Sequence, residues 1–312
     1  QAVIEGVMMR GPRFFAVACR RENGEVVVQQ ESVESILKGF QWLNKPFLRG
    51  TLMMIDAMTL GMKSMMFSAN IAMEDAQEAE KEAKPCPDET EQKPKSQSVN
   101  DIAIGATVFL GLALGIGIFF VLPQLIVGGV WHGTDNSVLK NVTAGAVKMG
   151  LFVAYIAAIS RMKDIRRVFE YHGAEHKVIN TFEAGKDLCD CNFAEQTTIH
   201  PRCGTSFILV VFLTSVVVFC FLGWAEAWYE RVFFRLLLLP IVAGIAYEVI
   251  RYAGAHRHSK LLKALLAPGL WMQRLTTRPP SDDQVEIAHR ALEAVMEKER
   301  EADSVKEDQS AA

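Results

Sequence analysis

From Ile102 to Val130 the chain carries no charged residue. About 20 consecutive apolar residues suffice to cross a bilayer as a helix, and charge-free runs of this length are rare in soluble cores. Three further stretches repeat the pattern. Ser206 to Trp224 is also free of charge, Val142 to Ile159 contains only Lys148, and Val232 to Ile250 contains only Arg235 and Glu248. The expected architecture is therefore a mainly α membrane protein with four transmembrane helices, two within 102–160 and two within 206–250. Composition agrees, because a mean hydropathy of +0.15 alongside 22% charged residues requires segregated polar and apolar stretches. The net charge of -3 leaves no basic footprint, so a nucleic-acid partner is excluded.

Lys and Arg counts in the flanks set the expected direction. The short connections Trp131–Asn141 and Ala225–Arg231 hold only Lys140 and Arg231. The opposite flanks hold Lys93 and Lys95, then Arg161, Lys163, Arg166, Arg167, Lys177, Lys186 and Arg202, then Arg251, Arg257, Lys260 and Lys263. Both termini and the loop 161–205 are expected to face the cytoplasm of a bacterial inner membrane, with lipid as the first partner. In that reducing compartment clustered thiols more often bind metal than pair with one another.

Residues 1–50 read as a small β-containing domain. Phe14–Arg20 and Glu25–Gln29 are rich in strand formers and flank Asn23-Gly24, a strong hairpin signal. Ala2–Met9 is expected to add a third strand. Thr51–Met73 reads as a helix holding seven of the thirteen methionines. Such a helix packs on the membrane domain or lies in the interface, and flexible Met side chains also suit promiscuous apolar binding. Residues 74–101 form a charged linker with too little apolar surface to bury, expected to be disordered. Beyond span four, residues 251–312 read as amphipathic helices, the first over Leu261–Leu275 and broken at Pro268-Gly269, with a disordered tail from Ala302.

The sharpest chemical pattern is Tyr171-His172-Gly173-Ala174-Glu175-His176, which contains H-x-x-E-H. On a helix His172 and His176 share a face and can chelate one divalent ion. Glu175, on the same side, is placed as general base for a water activated by that ion. Downstream in the same loop, His200 and Cys203 stand three apart, and both residue types ligate zinc. With His172 and His176 they offer either a closed four-ligand site or three ligands and an open position. Cys189 and Cys191 rank lower because their one-residue gap is not the usual two of zinc knuckles. His256 and His258 are weaker ligand candidates. Glu248 within span four is expensive in lipid unless paired, and a nearby Arg is the expected partner.

Gln1–Pro12 (QAVIEGVMMRGP), Tyr171–Lys177 (YHGAEHK), His200–Phe207 (HPRCGTSF), the YEVIR of span four and Pro268–Thr277 (PGLWMQRLTT) together resemble the YqhQ-like family of bacterial membrane proteins. The resemblance spans nearly the whole chain. That family is of unknown function and has been described as metal-dependent enzymes. The resemblance implies His172, His176, His200 and Cys203 as ligands of zinc or another divalent transition metal, and Glu175 as the catalytic carboxylate. The leading expectation is a metal-dependent hydrolytic enzyme with its site at the cytoplasmic face. The alternative is a non-enzymatic assembly or scaffold factor that contacts other membrane proteins through the Met-rich helix.

Overall fold

The computed structural model describes residues 1–33, 45, 47–83, 97–131, 133–255 and 259–311. Strands β1 (Ala2–Val3), β2 (Gly6–Arg10), β3 (Phe14–Arg20) and β4 (Val26–Ser32) form an antiparallel meander in chain order. The Ala2–Met9 run is split by a turn in which Glu5 takes φ 51°. The β3–β4 turn uses Gly24 at φ 88°, and Asn23 Oδ1 accepts the Glu25 N–H at 2.9 Å. Both residue types are the ones that tolerate this backbone.

The sheet is buried on both faces, which explains why β2 and β3 read as continuous apolar runs rather than alternating ones. Val7, Met9, Ala16 and Ala18 pack against α5 (Lys163–Glu183) and α11 (Asp282–Ala311), including Tyr171, Ala174, Val178, Ala288, Ala291 and Leu292. Phe193 of the short α6 (Asp190–Glu195) joins this cluster. The opposite face, with Val3, Met8, Phe15, Val17 and Cys19, packs on Leu60 and Ile71 of α1 (Leu48–Ala83). Burial in this second cluster pushes the Cys19 thiol up to about 12. Two buried carboxylates of α1 are tied to arginines in or beside the sheet: Asp56 to Arg10 of β2 at 2.5 Å, and Asp75 to Arg21, just past β3, at 3.0 Å. Its outward face leaves Met58, Met62, Met65, Met66 and Met73 exposed.

Three expectations require correction. Helix α1 continues to Ala83, well into the stretch expected to be a disordered linker, and helix resumes at Gln97. Glu, Ala, Gln and Lys favour helix even where little surface is buried, and Glu74 and Asp75 are held by Arg21. The centre of that linker lies outside the described residues. Helix α11 continues to Ala311 instead of ending near Ala302, with Arg13 bridging Glu299 and Asp303 at 2.6 and 2.7 Å. Helix α10 (Lys260–Thr276) passes through Pro268 unbroken. A Cβ on the adjacent Gly269 would lie 2.9 Å from Ser206 Cα, so close backbone approach, not a helix break, is what the Pro-Gly pair serves.

Two compact units are present: Gln1–Ala79 with Ile156–Val210 and Ala243–Ala312, and Glu80–Tyr155 with Val211–Val242. The apolar helices are α2 (Gln97–Ile116), α3 (Leu122–Val130), α4 (Ser137–Ile159), α7 (Gly204–Leu222), α8 (Trp228–Leu237) and α9 (Leu239–Ala255). A π-helical turn over Gly117–Val121 joins α2 to α3 just before Pro123, whose missing N–H disturbs the helical ladder. Among the described residues three helical segments are long and apolar enough to cross a membrane: Phe109–Val130, Ser137–Ile159 and Gly204–Leu222. A fourth arises if α8 and α9, bent by 48°, count as one span. Within the second unit Phe119 packs edge-on to Tyr155 at 5.8 Å, and Phe152 to Phe212 at 5.1 Å.

In the first unit the start of α1 meets α9 closely. A Cβ on Gly244 would fall 1.8 Å from the Phe47 carbonyl oxygen, and one on Gly50 would fall 2.6 Å from Tyr247 Cβ of α9. Beside this contact Arg49 grips Glu248 with two hydrogen bonds of 2.7 and 2.6 Å. The partner of Glu248 is thus an arginine of the Met-rich helix.

Candidate metal centre

Helix α5 carries two adjacent stripes. Tyr171, Ala174 and Val178 face the sheet, whereas His172, His176 and Asn180, each four apart, face the segment 197–203 and the end of α10. Each of these three side chains holds main chain. His172 Nδ1–H donates to the Thr276 carbonyl at 2.8 Å, and His176 Nδ1–H to the Thr198 carbonyl at 2.6 Å. Asn180 Nδ2 donates to the carbonyls of Thr197 and Ile199 at 2.8 and 3.2 Å. A carbonyl accepts only, so each imidazole carries a proton on Nδ1 and turns its Nε2 away from that carbonyl. Metal-ligating histidines are oriented in this way.

Cys203 caps the start of α7. Its carbonyl accepts the N–H groups of Ser206 and Phe207, and its Sγ lies 3.5 Å from the Thr205 N–H and 3.4 Å from the Thr205 hydroxyl. The sulfur is 3.3 Å from His172 Nε2. One ligand atom from each of His172, His176 and Cys203 lies within 4.8 Å of the others. His172 is half-buried, and His176 and Cys203 are buried. Burial works against the Cys203 thiolate, but hydrogen bonding and charge from His176, with the Thr205 contacts, outweigh it and hold the thiol below its ordinary range. A helix start beside imidazole is where cysteine pKa values fall.

Two buried residues fix the surroundings. Gln273, fully buried, accepts the His200 N–H at 2.8 Å and donates to the His200 carbonyl and the Ser206 hydroxyl, each at 2.8 Å. Gly173, between the two histidines, lets the segment after α10 approach: a Cβ there would lie 2.1 Å from the Arg278 carbonyl oxygen. The Arg278 N–H reaches the Phe169 carbonyl at 2.9 Å.

The other sequence-predicted residues are placed as follows. His200 does not join the converging three. Its Nε2 faces Glu183 at 3.2 Å and its Nδ1 accepts the Arg202 N–H at 3.3 Å, while Arg202 also bonds Glu183. Burial holds the His200 imidazole below its ordinary value, with Glu183 opposing. Glu175 Oε1 lies 2.8 Å from the Gln1 nitrogen, and its Oε2 is buried without a hydrogen-bond partner among the described residues. Cys189 and Cys191 pair with each other at the start of α6. His256 and His258 lie outside the described residues. Sequence reasoning missed the Thr198 and Thr276 carbonyls, Gln273 and Gly173. Carbonyls leave no residue signature, although Gln273 and Thr276 belong to the PGLWMQRLTT motif and Gly173 to YHGAEHK.

A profile for a protein of unknown function, DUF1385, matches residues 45–298 and so includes every residue of the cluster. The chain belongs to this family. It is 34% identical over 303 residues to the "Uncharacterized protein YqhQ" of Bacillus subtilis (strain 168), covering 92% of this chain and 88% of that protein. No solved structure matches.

Proposed function

We propose that this chain is a multi-pass bacterial inner-membrane protein with both termini cytoplasmic, and that it is a metal-dependent hydrolytic enzyme. The observation that carries the enzymatic reading is the pair of imidazoles whose Nδ1 atoms are held by carbonyls, with His172 Nε2 3.3 Å from Cys203 Sγ and one ligand atom each of His172, His176 and Cys203 within 4.8 Å of the others. The donor set of two nitrogens and one sulfur would suit zinc, which His172, His176 and Cys203 would hold. Bound there, such an ion supplies Lewis acidity that makes water nucleophilic near neutral pH. His172 and His176 hold position through their carbonyl partners, and Cys203 contributes negative charge. Glu175 Oε2, a buried acceptor with no partner among the described residues, would serve as the proton acceptor. His200, with both ring nitrogens engaged, steadies the loop.

Membrane residence is supported by apolar side chains that no protein surface covers. Phe109, Leu110, Leu112 and Leu114 along the first span, and Val217 and Phe221 on the third, are all exposed. Lipid is the solvent that removes this cost, since exposed apolar patches of such size are rare in soluble monomers. A second reading, an assembly or scaffold factor, rests on the exposed methionines of α1. The two are separated by Glu175→Gln, tested by complementation of a deletion strain with membrane abundance checked by immunoblot. As an enzyme, the variant keeps its metal and loses about 10²–10⁴-fold in activity. Full complementation at normal abundance removes Glu175 as the base and favours the scaffold.

A further inference from the structure

Helix α8, in the second unit, turns two arginines inward. Arg231 and Arg235, one turn apart, are each more than nine-tenths buried, and Lys148 of α4 is equally covered. Among the described residues none of the three forms a salt bridge with a carboxylate. Glu226 and Glu230, the nearest acidic residues in sequence, are exposed, and Glu226 offers only its carbonyl. The cations are compensated weakly. Arg231 donates to the carbonyls of Ala225 and Glu226 at 2.8 and 2.7 Å and lies 4.7 Å above the Trp224 ring. Arg235 donates to Asn141 Oδ1 at 2.5 Å and lies over Phe219 at 4.9 Å. Lys148 has the Phe120 and Phe212 rings, at 4.2 and 5.6 Å. Arg231 Nε is buried with no hydrogen-bond partner among the described residues.

Buried cations without a carboxylate partner are costly, and in apolar helices such residues mark sites for charged ligands or pathways. Beside Arg231 and Arg235 lies a cleft of about 40 Å³, whose lining includes the polar side chains of Asn141, Arg231 and Arg235 and the apolar ones of Phe219, Leu222 and Phe234. By the same measure that is room for roughly three waters. We propose that this cleft binds a phosphate oxyanion, either the phosphodiester of a lipid headgroup or free inorganic phosphate. Two guanidinium forks match the tetrahedral oxygens of phosphate as point-charged lysines do not. The apolar wall fits the substituents that a lipid phosphate carries.

The test uses the full chain in detergent micelles. Phosphatidylglycerol is titrated in and read by native mass spectrometry, and inorganic phosphate is titrated separately by calorimetry. The wild type is expected to retain phosphatidylglycerol, inorganic phosphate or both. Retention of the lipid alone identifies a headgroup, and saturation by inorganic phosphate identifies a free oxyanion. Arg231→Gln with Arg235→Gln should weaken that binding by roughly tenfold or more. Because the pair also anchors α8, a second variant carries the test if this one fails to accumulate. Asn141→Asp exchanges the Nδ2 bonds to the Ser137 and Gly223 carbonyls, at 3.0 and 2.9 Å, for an ion pair with Arg235, so it should abolish binding while the protein still accumulates in the membrane. Binding of neither probe by the wild type overturns the proposal, as does unchanged binding in Asn141→Asp.

Discussion

Gly173→Ala probes the proposed metal centre without touching one of its three proposed ligands. The new methyl would stand 2.1 Å from the Arg278 carbonyl oxygen, whereas ordinary contact begins at 3.4 Å, so the segment after α10 must retreat by about 1.3 Å. That retreat breaks two links. The Arg278 N–H to Phe169 bond, now 2.9 Å, opens beyond bonding range, and the Thr276 carbonyl withdraws from His172 Nδ1, now 2.8 Å away. Overpacking of this kind costs about 1–3 kcal/mol. Loss of an orienting partner costs a metal site about 10–100-fold in affinity. Zinc affinity would be read by competition with a chromogenic chelator on solubilised protein, alongside the melting temperature with and without zinc. The control is Gly150→Ala, whose Cβ would meet nothing within 4 Å; it should bind zinc as the wild type does. Wild-type zinc affinity in Gly173→Ala would refute the reasoning, because the close approach would then have no part in orienting His172.

His200→Gln should keep zinc stoichiometry, since both ring nitrogens are engaged by Glu183 and Arg202, whereas Cys203→Ser should lose most of the metal; equal zinc contents in the two variants would reverse these roles. Without metal, the fold should lose stability as pH falls from about 6.5 towards the lowered His200 value, because the unfolded chain takes up that proton first. His200→Gln should flatten this slope in chemical denaturation followed across pH, and an unchanged slope would assign it to other groups. Reporters fused after Ala312 and near Lys186 should read cytoplasmic and one near Asn136 external; an external reading at Lys186 would overturn the topology.

The parts of this molecule legible in its sequence are those governed by local rules. Charge-free runs marked the apolar helices, Asn23-Gly24 marked the hairpin, and four-residue spacing placed His172 and His176 on one helical face. What escaped depends on contacts between distant segments. The bend between α8 and α9 interrupts one apolar run without a change of composition. The tail and the Glu-rich stretch after Met73 are helical and are held by Arg13 and Arg21, the residues that flank β3. Glu248 finds Arg49, not its sequence neighbour Arg251. At the site, spacing brought His200 forward as a ligand candidate, yet Gln273 fixes its backbone so that its ring meets Glu183.

The central claim is that His172, His176 and Cys203 hold a divalent metal, and metal content tests it most directly. The full chain, purified from membranes without chelator, would be assayed by inductively coupled plasma mass spectrometry beside the His172→Ala/His176→Ala double variant. The account predicts about one equivalent of zinc per wild-type chain, as for a single mononuclear site, and almost none in the double variant. Zinc retained by the double variant at the wild-type level, or a wild-type protein free of transition metal, would contradict it.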